Sequence, residues 1–95
     1  MAYNAKLNSC MNATRQEIID AVDNDNIGEW LDNSMLDIWY KDDGAAILLA
    51  YGGPTIILDT STSVLLGIWG GDKSLEYIGD NYTYDINCFL ERYVY

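Results

Sequence analysis

The sequence predicts an α+β fold of two layers. Two N-terminal helices and one C-terminal helix cover an antiparallel meander sheet of four to five strands, in the order α-α-β-β-β-β-β-α. Three observations carry this. Apolar residues recur at helical spacing towards both ends, in Ile18, Ile19 and Val22 and again in Ile86, Phe89, Leu90 and Tyr93. Between them, short apolar or alternating runs are separated by glycine-rich punctuation. The chain has 95 residues, enough for one modest core, so 1–95 reads as a single domain.

Residues 1–12 are polar and are expected to be irregular. Thr14-Arg15-Gln16-Glu17 fits a capping box, in which the hydroxyl and the carboxylate satisfy the first free amides of a helix. Asn24 to Gly28 breaks that helix, and a second one carries Ile27, Trp30 and Leu31 inward. From Leu36 the period changes: Leu36, Ile38 and Tyr40 alternate with Asp37 and Trp39, as in a strand. Lys41 to Gly44 is a turn. Ala45 to Tyr51 is a continuous apolar run of strand length, which predicts a central strand. Residues 55–59 and 64–69 follow as strands joined by Thr60 to Ser63, and residues 75–78 form a short fifth. Short connections favour neighbouring antiparallel pairing. The last helix is capped near Thr83.

Composition excludes several functions. Fifteen Asp and Glu face five Lys and Arg, with no histidine, giving a formal net charge of −10. With so few cations, nucleic acid is not expected as a direct ligand, nor is an anionic membrane surface. Without histidine there is no Ser-His-Asp or Cys-His pair. The longest apolar run is too short to span a bilayer, and residues 1–10 show no signal-peptide pattern, so a cytoplasmic setting is expected. Cys10 and Cys88 are two buried thiols or one disulfide, the former favoured. The sequons at Asn12 and Asn81 double as helix-start signals.

No catalytic set, cofactor or metal is expected. Asp23-Asn24-Asp25-Asn26-Ile27-Gly28 matches a calcium loop at its first, third and sixth positions, but Ile27 and Ser34 stand where an oxygen ligand and the bidentate glutamate belong. Gly52-Gly53 and Gly70-Gly71 form neither GxGxxG nor a P-loop. Asp59 and Asp72, at strand ends, are the one carboxylate pair worth testing for hydrolysis. Tyr51 and Trp69 each precede a glycine pair, and a meander puts both turns at the same end of the sheet. They are candidates for an aromatic contact patch, with Tyr40 and Tyr77 as further exposed aromatics.

The charge is uneven. Glu17, Asp20, Asp23, Asp25, Glu29, Asp32, Asp37, Asp42 and Asp43 stand against Lys41 alone, so this segment holds a net −8. Carboxylates at i, i+3 on a helix lie about 5–6 Å apart. DNA presents a charge per strand every ~3.4 Å of rise. Rows of such carboxylates loosely imitate a row of phosphates.

In size and charge the whole chain resembles the small acidic DNA-mimic inhibitors of phages and mobile elements, the anti-CRISPR and anti-restriction proteins. The likeness carries no motif residue across. It implies a non-enzymatic inhibitor whose acidic face binds a basic, nucleic-acid-binding surface of a host defence complex. The alternative is a protein–protein interaction module or oligomer subunit using exposed aromatics and a sheet edge. Either would be a monomer or small homo-oligomer.

Overall fold

The computed structural model describes the backbone of residues 5–94 and the side chains of residues 5–92. Its elements are α1 (Ala5–Asp23), α2 (Ile27–Ser34), β1 (Asp37–Lys41), β2 (Gly44–Ala50), β3 (Thr55–Asp59), β4 (Val64–Trp69), β5 (Asp72–Tyr77) and α3 (Asp80–Val94). The five strands form one open antiparallel sheet in sequence order, β1-β2-β3-β4-β5. This is the expected α+β meander, with β3 and β4 at the bounds the apolar runs give.

Three boundaries differ from expectation by several residues, while β1 and β2 each shift by one. α1 begins at Ala5, so residues 5–12 are helical and Thr14 lies within the helix instead of capping it. The reason is tertiary. Leu7 and Met11 are buried one turn apart, and they lie over Gly67, where an added Cβ would come within 2.5 Å of Met11 Sδ and 3.0 Å of Leu7. Glycine in β4 makes the room that lets this polar stretch dock as a helix, because docking rather than propensity supplies most helix stability. β5 begins at Asp72, since Asp72, Lys73 and Ser74 pair with Trp69, Ile68 and Gly67.

α3 begins at Asp80, not near Thr83. Gly79, at φ +113°, turns the chain out of the sheet. The Ser63 hydroxyl donates to Asp80 Oδ1 at 2.7 Å and lies 2.6 Å from Thr83 Oγ1. Thr83 is buried with Ser63 and is absorbed in this cluster. Further along α3, Thr60 Oγ1 donates to Asn87 Oδ1 at 2.6 Å, and Asn87 Nδ2 returns a bond to the Thr60 carbonyl. Buried hydroxyls need such partners, and here they tie α3 to the β3–β4 turn at two points. The expected inward position of Tyr93 lies outside the described side chains.

The core forms between the helices and one face of the sheet. Ile18, Ile27, Leu31 and Ile86 meet Ala45, Ile47, Ile56, Leu58 and Leu65 there. Directly opposed residues of an antiparallel pair share a face. The register therefore puts Ile47, Leu58, Leu65 and Glu76 on the helix side. Trp39, Ala46, Asp59, Val64 and Tyr77 form a row on the other side, which no described element covers.

Candidate interaction surfaces

The first surface is that outer face. Beside the row from Trp39 to Tyr77 runs a second: Asp37, Leu48, Ile57, Leu66 and Leu75. Leu48, Ile57, Val64 and Leu66 are half-buried by their neighbours alone. Towards the edges Trp39 is 50% exposed, Tyr77 60% and Leu75 64%. The charged groups on this face are Asp37, Lys41, Asp59 and Lys73, equal in sign count. Two of them form the ion pair Lys41 Nζ–Asp59 Oδ2 at 2.7 Å. Partial burial pushes the Asp59 carboxyl up, but the Lys41 ammonium and two hydrogen bonds from Ser61 outweigh it and hold it at about 2. At the other edge the Tyr77 hydroxyl bonds Asp80, which raises the phenol above its usual range. The hydrogen bond from Ser63 is the main cause of the lowered Asp80 carboxyl, with Tyr77 second.

The second surface is acidic and lies among the helices. Glu17, Asp20 and Glu29 line one groove of about 320 Å³ where the end of α1 meets α2. Trp30 also lines it, and its buried indole N–H finds no acceptor among the described residues. Asp42 and Asp43, in the β1–β2 turn, face Glu91 and Tyr84 of α3 across a groove of about 660 Å³. Asp25 lines a third groove with Asp85 and Arg92. Asp23 and Asp32 are exposed on their helices. Of the nine acids singled out in the sequence, Asp37 alone belongs to the outer sheet face, opposite the helices.

The aromatic pair divides. Trp69 Nε1 lies 3.7 Å from where a Cβ on Gly53 would stand, so the two glycine turns do meet at one end of the sheet. Tyr51 is 79% exposed there, whereas Trp69 packs against the core. Tyr40 is exposed and lines the groove beside Asp42. The carboxylate pair is not brought together: Asp59 is opposite Val64 on the outer face, and Asp72, five residues before Tyr77, points to the helix side. Cys10 and Cys88 are free thiols. No cluster of three or more Cys, Asp or Glu among the described residues is arranged to hold a metal. No described helix is long and apolar enough to cross a membrane.

Sequence reasoning passed over the outer face. Its signal was present: the runs AILLA, TIIL and VLL do not alternate apolar with polar. Strands buried on one face alternate, whereas strands covered on both read as continuous apolar runs. No protein-family model, curated protein or solved structure matches the chain.

Proposed function

We propose that the chain is a non-enzymatic protein–protein interaction module that works through the outer face of its sheet. One observation carries this reading: Trp39, Leu48, Ile57, Leu66, Leu75 and Tyr77 lie together on a face that no described element covers. Contiguous apolar surface of this kind, rimmed by polar groups, marks a contact site. A photo-crosslinking residue in place of Tyr77, in cells producing the protein, tests it. A protein adduct at Tyr77, absent when the crosslinker replaces the exposed Gln16 of α1, supports the reading. No adduct at Tyr77 or at Leu75 sinks it.

A second reading, the acidic inhibitor, is favoured by the convergence of Glu17, Asp20 and Glu29 on one groove. In this reading a basic, nucleic-acid-binding protein surface in the cytoplasm docks on the helical side. Its affinity falls steeply with salt, because exposed charges are screened within about 8–10 Å. Converting Asp20, Asp23 and Glu29 to lysine abolishes that binding; inhibition that survives the triple change rules the reading out.

A further inference from the structure

We infer that the outer sheet face is covered by a second copy of this chain, stacked face to face about a two-fold axis running along β3. The inference rests on the interaction-module reading and names its partner.

The area fits. Five strands about 4.8 Å apart, each five to seven residues long at ~3.3 Å per residue, give a face of roughly 24 by 18 Å. With Trp39, Leu75 and Tyr77 standing half or more exposed above that plane, two copies bury on the order of 1,000 Å² in total, the lower end for a specific interface. Aligned packing of two such sheets is a standard arrangement, with a core about 10 Å thick.

The charge also fits. Each chain carries −10, yet this face holds two lysines and two aspartates. Two copies can therefore meet here while the acids of α1, α2 and the β1–β2 turn stay on the far sides. A foreign partner chosen by this chain's charge would be basic and would be drawn to those acids instead.

The register is self-complementary. Rotation about an axis along β3 places β1 of one copy over β5 of the other and keeps each row on itself. Trp39 then meets the Tyr77 ring of the second copy, Leu48 meets Leu66, and Ile57 meets its own counterpart on the axis. Asp37 falls beside Leu75 of the second copy, one pleat from Lys73. The two Asp59 carboxylates come nearest each other, each already held by its own Lys41. Pairing of edges is disfavoured, because both edge strands carry lysine.

Sedimentation equilibrium of the purified chain tests this from nanomolar to high micromolar concentration. The wild type is expected to reach twice its 10.7 kDa mass. Leu66→Lys, in the middle of the face, is expected to weaken association by about 100-fold or more with an unchanged circular dichroism spectrum. Asp37→Lys is expected to weaken it by about tenfold, and adding Lys73→Asp to restore it. A wild type that stays monomeric throughout overturns the inference, as does a dimer indifferent to Leu66→Lys. Failure of the charge swap to restore association overturns the two-fold arrangement. Crosslinked adducts at Tyr77 separate the failures. A foreign mass in the adduct removes the second copy but keeps the interaction module; no adduct at all removes both.

Discussion

The two faces of the sheet are made of nearly the same residues and have opposite fates. On the helix side Ala45, Ile47, Ile56, Leu58 and Leu65 are sealed by α1, α2 and α3. On the outer side Leu48, Ile57, Leu66 and Leu75 are just as apolar but meet no described element. Adjacent residues such as Ile57 and Leu58 differ only in the direction of their side chains, since a strand alternates at every position. Hydrophobicity alone thus builds a core only where another layer arrives. Three helices supply one cover, while the strands are written for two.

The largest effect is expected on the buried face. Leu58→Ala removes a fully buried side chain and is expected to cost about 2–5 kcal/mol in denaturant unfolding. The neighbouring change Ile57→Ala, measured on dilute protein, is expected to cost about 1 kcal/mol or less. Equal costs at the two positions would mean that the outer face is already covered within one chain. Next in size is Gly67→Val, which pushes a branched side chain into Met11 and Leu7. It is expected to cost about 1–3 kcal/mol, read as a fall in melting temperature. An unchanged melting temperature would mean that α1 does not rest on β4.

The smallest effect concerns the ion pair on the outer face. Asp59 is held at about 2 when folded, against an ordinary value of 3.8. A depressed folded value favours the folded state above the unfolded pKa, and that benefit fades as pH falls through the folded one. The contribution is therefore complete above about pH 5 and is lost between roughly pH 4 and 2. Asp59→Asn is expected to flatten the stability curve in that window by about 1 kcal/mol or less. Identical curves for both proteins would show that the pair contributes nothing.

Salt acts in opposite directions on the two surfaces. Self-association through the outer face is expected to survive added salt, or to tighten as the mutual repulsion of two −10 chains is screened. Binding of a basic partner at Glu17, Asp20 and Glu29 is expected to weaken under the same titration.

Most of the fold was legible from local pattern. Thr55 to Asp59 and Val64 to Trp69 are bounded by turn residues on both sides, and their limits follow from that punctuation. The first helical turns of α1 were not legible, because Asn8, Ser9 and Asn12 conceal the spacing of Leu7 and Met11. Their helicity depends on Gly67, some sixty positions away. The start of α3 was missed for a similar reason: Thr83 reads as a cap until Ser63 draws it into a buried cluster. The acids stood out as a charge count, but a count does not say that Asp37 lies behind the sheet from Asp20. The outer face is written in the absence of alternation: a continuous apolar run marks a strand that needs cover on both sides.

The proposed dimer covers both faces of the sheet. Relaxation by a soluble nitroxide, measured by NMR at the methyl groups of Ile57 and Leu58, tests it most directly. At working concentration the Ile57 methyls are expected to be shielded nearly as well as those of Leu58, and to become accessible on dilution or in the Leu66→Lys variant. Ile57 methyls that remain fully accessible at every concentration, beside shielded Leu58 methyls, would contradict it.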